Sequence, residues 1–123
     1  MHITNLKKTT MKLKNEFEPI RNWASERGIY EKGDAKTQCI KLFEETGELS
    51  KAILNNDKDE IIDAIGDIVV VLTNLTELLP LYKDGDTMGD IQQITIEDCI
   101  NSAYEVIAQR KGKMIGGTFV KEN

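Results

Sequence analysis

The amino-acid sequence predicts an all-α protein, built as a bundle of four or five helices. Apolar residues recur at three- and four-residue spacings in several separate segments, which is the period of an amphipathic helix. Glycine, proline, or asparagine with aspartate divides these segments, as is typical of turns between helices. A chain of 123 residues leaves room for one domain, so we expect residues 1–123 to form a single domain.

Two helices are predicted in the first half of the chain. The first spans Thr4 to Glu26, and Pro19 is expected to kink or divide it because proline removes an amide donor. The segment from Arg27 to Ala35 contains two glycines and is predicted to be a loop. The second helix is predicted from about Lys36 to Leu54.

The third helix is predicted from about Lys58 to Leu79, with Asp57 as its N-cap. Its centre, from Ile65 to Leu72, is apolar on nearly every side and is rich in β-branched residues, so a strand is the rival interpretation. Helical spacing on both sides of this run favours a helix. A helix that is apolar all round is buried all round, so we expect it at the centre of a bundle or at an oligomer interface.

The last third of the chain is predicted to contain one helix. Tyr82 to Asp90 is rich in glycine and aspartate and is predicted to be a loop. Thr95 followed by Asp98 resembles a capping box, which opens a helix that runs to about Lys111. The tail beyond it has three glycines and little periodicity.

Composition excludes several classes of function. The formal net charge of −5 argues against general binding to nucleic acid, which needs a basic surface. No apolar run is long enough to span a membrane, and the N-terminal segment has no apolar core of a secretory signal, so we expect a cytoplasmic protein. Cys39 and Cys99 match no metal-binding spacing and are expected to be small buried thiols.

Acidic residues form one cluster on each of the two central helices. The spacings of three and four residues place each cluster on one side of its helix. The clusters comprise Glu44, Glu45 and Glu48 on the second helix and Glu60, Asp63 and Asp67 on the third. A short connection makes these helices antiparallel neighbours, which would bring the two acidic sides face to face.

Clustered carboxylates are costly unless a cation or a hydrogen bond neutralises them. Asp67 lies inside the apolar run, where burial is hard to avoid, and few basic residues lie nearby in the sequence. Carboxylates favour Mg²⁺ or Mn²⁺, whereas the single histidine, His2, makes zinc improbable. The simpler interpretation is that these acids only line a solvated face, and one acid within an apolar run argues against it.

These residues resemble a known family. The string EETGEL, followed one helix later by IGD before an apolar run, is similar to the MazG-like nucleotide pyrophosphohydrolases of the all-α nucleoside triphosphate pyrophosphatase superfamily. The likeness extends to WASERGI near the start and to AYEVIAQRKGKMIGGTFVKE at the end. It is strongest toward the short, single-domain members of phages and bacteria, and it implies a MazG-like helical bundle with its acidic metal site between two antiparallel helices.

The resemblance also implies an activity and a site. The activity is hydrolysis of a nucleoside triphosphate to its monophosphate and pyrophosphate with Mg²⁺, for which Mn²⁺ is a substitute. Glu45 and Glu48 match the ligand pair of the first acidic motif, with Glu44 alongside, and Asp67 matches the last acid of the second motif. The family pattern has a glutamate where this chain has Ala64, so Asp63 is the expected substitute and Glu60 the less expected one.

Five further residues are candidates for substrate binding, and each has a structural alternative. Arg110, Lys111 and Lys113 would contact phosphates, although basic residues also favour a helix C-terminus. Asn74 continues the acidic side of the third helix and would bind sugar or base, or else satisfy a neighbouring helix. Trp23 would stack on a base, although a lone tryptophan on an amphipathic helix is more often part of the core.

The rival function is a non-catalytic helical interaction module whose acidic face binds a basic partner. A narrower enzymatic alternative is hydrolysis of dUTP or dCTP, but no residue specifies the base or the sugar. Small size and the apolar third helix predict a homodimer or homotetramer, without deciding between them.

Overall fold

A computed structural model describes residues 15–83 and 91–122 of the chain. The helices in this part are α1 (Phe17–Glu26), α2 (Ile29–Lys32), α3 (Ala35–Leu54), α4 (Lys58–Leu78) and α5 (Ile96–Ile107). Two antiparallel ladders pair β1 (Tyr82–Lys83) with β2 (Ile91–Gln92) and β3 (Gly112–Ile115) with β4 (Thr118–Lys121). Helices dominate, so the prediction of an all-α fold is confirmed.

Contacts divide the described residues into two compact units. The larger unit holds residues 15–83 and 91–96, with α1 to α4 and the ladder of β1 and β2. The smaller one holds residues 97–122, with nearly all of α5 and the hairpin of β3 and β4. The expectation of one domain over residues 1–123 stays a prediction.

Helices α3 and α4 form an antiparallel hairpin, which is the main packing contact of the larger unit. Asp34 caps α3, since its carboxylate accepts a hydrogen bond from the Thr37 amide at 2.8 Å. Asp57 caps α4 in the same way through the Glu60 amide at 3.2 Å, as predicted. Between the helices Asn56 has a φ of 51°, a left-handed conformation that asparagine tolerates better than most residues.

The N-terminal prediction needs two changes. Helix α1 begins at Phe17, so Pro19 lies in its first turn, where the missing amide would have no partner within the helix. Residues 15 and 16 form a turn before α1, and residues 4–14 of the predicted first helix lie outside the described residues. The predicted loop from Arg27 to Ala35 was wrong in part, because it contains the short helix α2. Gly28 makes the reversal between α1 and α2 with a φ of 78°.

The C-terminal tail was expected to lack regular structure, and it forms a β-hairpin. Strands β3 and β4 are joined by Gly116 and Gly117, whose φ values are 58° and 85°. Two successive residues with positive φ match the twist of paired strands, and glycine adopts this conformation without strain. Helix α5 correspondingly ends at Ile107 rather than near Lys111.

The loop predicted from Tyr82 to Asp90 begins with strand β1, and residues 84–90 of it lie outside the described part of the chain.

Burial of α4 differs from the prediction. Its C-terminal half is enclosed, with Val71, Thr73, Asn74 and Thr76 all buried. The N-terminal half, taken as residues 58–70, packs on α3 along one side only, so its apolar residues Ile62, Ile65 and Val69 are exposed. The expectation of a helix buried all round in this chain was therefore wrong for that half.

The expectation that the two cysteines are buried was also wrong. Cys39 on α3 and Cys99 on α5 are both exposed free thiols. Each lies on a side of its helix that packs against little else, and the apolar residues beside them in sequence, Ile40 and Ile100, are themselves exposed or only half-buried.

None of the described helices combines the length and the apolar character needed to cross a bilayer.

Candidate functional site

The three clustered glutamates of α3 differ in their exposure to solvent. Glu45 faces α4 and is only 8% exposed, whereas Glu44 and Glu48 lie on the solvent side of the same helix. A glutamate is rarely enclosed unless a partner compensates its charge. Glu45 is therefore the glutamate of this cluster whose charge most needs a compensating partner.

The environment of Glu45 disfavours its charged form. Burial raises the pKa of the Glu45 carboxyl, and the nearby charges of Glu48 and Asp67 raise it further. A hydrogen bond with the Glu48 side chain acts in the same direction on this pKa. Lys41 opposes these effects only weakly, because its Nζ lies 3.9 Å from Glu45 Oε1.

One oxygen of Glu45 is both buried and unpartnered. Glu45 Oε2 has no hydrogen-bond partner, although it is shielded from solvent. A buried acceptor without a partner loses its hydration and gains nothing in return, typically at a cost of about 1–3 kcal/mol. This atom marks a position where a cation or a donor would be stabilising.

The second acidic cluster lies on the N-terminal half of α4. The charge of Asp67 raises the pKa of the Glu45 carboxyl across the helix pair, and the expectation that the two acidic sides face each other stays a prediction. The expected burial of Asp67 was wrong, since Asp67, Asp63 and Glu60 are all exposed. Only one side of this half-helix is covered, and α3 covers it at Ala64.

The fit of these acidic side chains to a metal ion depends on their arrangement and on their chemistry. Among residues 15–83 and 91–122, no group of three or more aspartate, glutamate, cysteine or histidine residues is arranged to hold a metal ion. The donor set nevertheless suits a hard divalent cation, because all of its members are carboxylates. The unpartnered Oε2 of Glu45 fits such an ion, and Glu48 and Asp67 both raise the pKa of its carboxyl.

Asn74 lies seven residues beyond Asp67 on α4, and it is 2% exposed. Its Oδ1 accepts a hydrogen bond from the Tyr30 hydroxyl at 2.6 Å, which joins α4 to α2. Burial raises the pKa of Tyr30 to about 12, with a smaller contribution from Glu77, so the hydroxyl remains a donor at neutral pH. Sequence reasoning missed Tyr30, since it fell in a segment predicted to be a loop.

Trp23 on α1 is not a core residue. Its side chain is 46% exposed, and the Arg27 guanidinium lies 5.4 Å from the centre of its ring. This distance permits a cation–π contact. The structural alternative for Trp23, a buried position, is therefore wrong, whereas its role in stacking on a base stays a prediction.

The basic residues Arg110, Lys111 and Lys113 are exposed and lie between the end of α5 and strand β3. The Lys111 carbonyl accepts a hydrogen bond from the Glu122 amide, which extends the pairing of β3 and β4 by one residue. These residues belong to the smaller unit, while the acids belong to the larger one.

Comparison with known proteins identifies the family. Residues 34–115 match the model of the MazG nucleotide pyrophosphohydrolase domain. The chain belongs to this family. The matched range begins at Asp34, which caps α3, and ends with Ile115, the last residue of β3. It includes both acidic clusters, Asn74 and the basic residues, whereas Trp23 and Tyr30 precede it.

A phage protein shares part of the MazG domain. The chain is 38% identical over 65 residues to an uncharacterised 18.2 kDa protein in the rep-hol intergenic region of Haemophilus phage HP1 (strain HP1c1). The alignment covers 53% of this chain and 40% of the phage protein, so the chain spans less than half the length of that relative. No solved structure matches the chain.

Proposed function

We propose that this MazG domain hydrolyses nucleoside triphosphates, ribo- or deoxyribonucleotides, to the monophosphate and pyrophosphate in the presence of Mg²⁺. The observation that carries this proposal is the buried Glu45, with its unpartnered Oε2 beside Glu48 and Asp67. A structural role alone would favour an apolar residue at such a position, because the charge is desolvated and repelled. Membership of the family supports the same reaction class.

Four carboxylates would hold the metal: Glu45 and Glu48 from α3, and Asp63 and Asp67 from α4. When bound, Mg²⁺ supplies positive charge that stabilises the charge developing on the phosphates. Mn²⁺ prefers the same oxygen ligands and would substitute for it. Asp63 is preferred over Glu60 as the fourth ligand because it lies one helical turn from Asp67.

The reaction needs a proton acceptor near the triphosphate. The oxygen of a water molecule bonds to the α-phosphorus, and the bond from that phosphorus to the oxygen bridging to the β-phosphorus breaks. Pyrophosphate leaves with the electron pair, and the water proton passes to a carboxylate. We propose Glu44 for this role because it is exposed to solvent and directly precedes the enclosed Glu45 in the sequence.

The rest of the substrate would be bound by residues outside the acidic clusters. Arg110, Lys111 and Lys113 would contact phosphates through charge-assisted hydrogen bonds. Trp23 would stack on the base with one face of its ring, since it is partly exposed and held by Arg27. Asn74 belongs to the sugar and base end of the site.

Self-association is the second part of the proposal. Large apolar side chains are exposed along both helices of the hairpin, and Phe43 alone is 74% exposed. These side chains are Ile40, Phe43, Ile53 and Leu54 of α3 with Ile62, Ile65 and Val69 of α4. Exposed apolar side chains in this number on two packed helices are typical of a protein interface. A homodimer or homotetramer would cover them with the same side chains of another copy.

The deciding experiment is a panel of the eight common nucleoside triphosphates with Mg²⁺, in which pyrophosphate release is resolved from phosphate release. We expect the wild type to release pyrophosphate. Glu48→Gln and Asp67→Asn should each lower kcat by about a hundredfold or more, because loss of a metal ligand costs at least as much as loss of its supporting contacts. Asp59→Asn, an exposed acid in the first turn of α4, is the matched control and should remain active.

Two outcomes would separate this proposal from the interaction module. A folded wild type that releases no pyrophosphate with Mg²⁺ or Mn²⁺ would contradict the enzymatic reading. A melting temperature that rises with Mg²⁺ in the wild type, but not in Glu48→Gln, would argue against a module that only binds a basic protein. Comparing Asp63→Asn with Glu60→Gln would identify the fourth ligand.

A further inference from the structure

We propose that Tyr30 is a positioning residue that determines which nucleoside the site accepts, acting through its hydrogen bond to Asn74. The inference rests on the proposed function, because it concerns the sugar and base of the same substrate. It assigns a role to a residue that lies outside the acidic clusters and outside the range matched by the family model.

The position of Asn74 supports the first step. Asn74 follows Asp67 by seven residues, so it lies on the same side of α4 and about 10 Å further along the helix axis. The sugar and base of a nucleotide extend from its triphosphate over a comparable distance. A substrate whose phosphates lie at Asp67 and Glu45 therefore brings its nucleoside half toward Asn74.

The hydrogen bond supports the second step. The Tyr30 hydroxyl donates to Asn74 Oδ1 at 2.6 Å, which holds the amide with its oxygen toward Tyr30. The NH₂ group, which only donates hydrogen bonds, then points away from Tyr30. Loss of the Tyr30 hydroxyl would free the amide to rotate and to present its oxygen instead. Tyr30 thus decides whether the pair presents a donor or an acceptor.

The surroundings of Tyr30 support the third step. Helix α2 has only four residues, and it is bounded by Gly28 and Gly33. A side chain at Gly33 would collide with the carbonyl oxygen of Ile29, so the chain closes tightly around this turn. Helix α2 packs against α4, which holds the Tyr30 ring against Asn74. Tyr30 is half-buried, so one part of the ring remains accessible to a ligand.

The test compares Tyr30→Phe, Asn74→Ser and the double variant with the wild type. Tyr82→Phe is the matched control, since it removes the same hydroxyl from a partly exposed tyrosine on β1. KM and kcat are measured for all eight nucleotides. For Tyr30→Phe we expect KM for the preferred nucleotide to rise about five- to tenfold, the effect of one hydrogen bond, with kcat changed by less than about twofold.

The double variant tests whether Tyr30 acts through Asn74. If it does, the double variant loses no more selectivity than Asn74→Ser alone. Selectivity that falls by the product of the two single effects would overturn the proposal. So would a Tyr30→Phe variant that melts at a lower temperature but keeps the wild-type order and ratio of KM values, because that result indicates a purely structural bond.

Binding separates this proposal from the proposed reaction. The affinities of α,β-methylene nucleoside triphosphates are measured by calorimetry with Mg²⁺, without turnover. A base preference in the wild type that Tyr30→Phe abolishes would support the role of Tyr30 even if no nucleotide is cleaved. A wild type that cleaves nucleotides but binds the analogues with the same preference as Tyr30→Phe would overturn this proposal alone. A wild type that neither binds nor cleaves would overturn both.

Discussion

The two halves of α4 have different surroundings. In the C-terminal half, Val71 is buried, and the Thr73 and Thr76 hydroxyls donate to the carbonyls of Val69 and Thr73. Asn74 is paired with Tyr30 there. The N-terminal half leaves Ile62 and Ile65 exposed. It also carries Asp67 opposite the unsatisfied Glu45.

This difference shows which half of α4 is buried within one chain. The C-terminal half hydrogen-bonds the buried side chains of Thr73, Asn74 and Thr76, as stable cores do. In the N-terminal half, the acidic groups and the exposed apolar side chains would both need partners from outside the chain. We infer that a cation satisfies its acidic side and that a second copy covers its apolar side.

The largest expected effect is on assembly. Phe43→Gln combined with Ile65→Gln should convert the proposed oligomer to a monomer, because the apolar centre of the proposed interface becomes polar. Sedimentation velocity measures this mass directly. The control is Leu81→Gln, which changes an exposed apolar residue beyond α4. If the double variant keeps the wild-type mass, this face is not the interface.

Valine-to-alanine substitutions at Val69 and Val71 compare what the two halves of α4 contribute to the free energy of unfolding. Val71→Ala should lower the free energy of unfolding by about 2 kcal/mol, because the site is 2% exposed and a cavity remains. Val69→Ala should cost less than about 1 kcal/mol in dilute protein, since Val69 is 37% exposed. Urea denaturation at several protein concentrations measures both.

Concentration dependence then sharpens the contrast. If a second copy covers the N-terminal half, the cost of Val69→Ala rises with protein concentration, whereas the cost of Val71→Ala does not. Equal costs at every concentration would show that the two halves are equally buried.

Removing the charge of Glu45 should stabilise the metal-free protein. The pKa of Glu45 is raised in the folded state, so the folded chain holds this proton more tightly than the unfolded chain. Wild-type stability therefore falls as the pH rises above the usual glutamate pKa of 4.5, until the raised pKa is passed. Glu45→Gln avoids this loss, so its advantage in melting temperature should be absent in acid and present at neutral pH.

The check on Glu45 is a pair of melting curves with EDTA at pH 4 and pH 7. Glu44→Gln, at the exposed neighbouring position, serves as the control for stability and should melt as the wild type does. A Glu45→Gln variant that melts below the wild type at pH 7 would mean that the carboxylate is stabilising without a cation. Glu45→Gln should also lose pyrophosphate release, in contrast to its gain in stability.

The smallest expected effect is spectroscopic and concerns Tyr30, which pairs with Asn74 in the C-terminal half of α4. Burial raises the pKa of Tyr30 to about 12 from 10.0, so one tyrosine should ionise late in an alkaline titration. Absorbance at tyrosinate wavelengths should contain a step near that pH, and Tyr30→Phe should lack it. Since this pKa is raised on folding, the Tyr30 contribution to stability is lost as the pH rises from about 10 toward 12.

Local patterns were sufficient for the helical hairpin. Asp57 was identified as a cap because its side chain precedes a helical pattern, and it accepts the Glu60 amide as expected. The role of the acidic residues on these two helices stays a prediction. The C-terminal hairpin was missed, although two glycines between alternating strands are a recognisable turn signal.

Burial was the quantity that local pattern predicted worst. Asp67 was expected to be enclosed because its neighbours in sequence are apolar, yet it is exposed, while Glu45 is enclosed. Apolar neighbours in sequence indicate that a helix surface favours burial, but they do not indicate whether the same chain buries it. Tyr30 escaped notice for a related reason, since its partner Asn74 is 44 residues away.

The sequence by itself determined helices α3 and α4, the Asp57 cap, the spacing of the acidic residues along these helices and the membership of the MazG family, because each depends on residues within a few turns of one another or on a motif. The tertiary structure decided which acid is desolvated, which half of α4 is left uncovered and that Tyr30 meets Asn74. These properties depend on the packing of helices against one another, and burial and pairing at such contacts are set by distance in space, which sequence spacing does not encode.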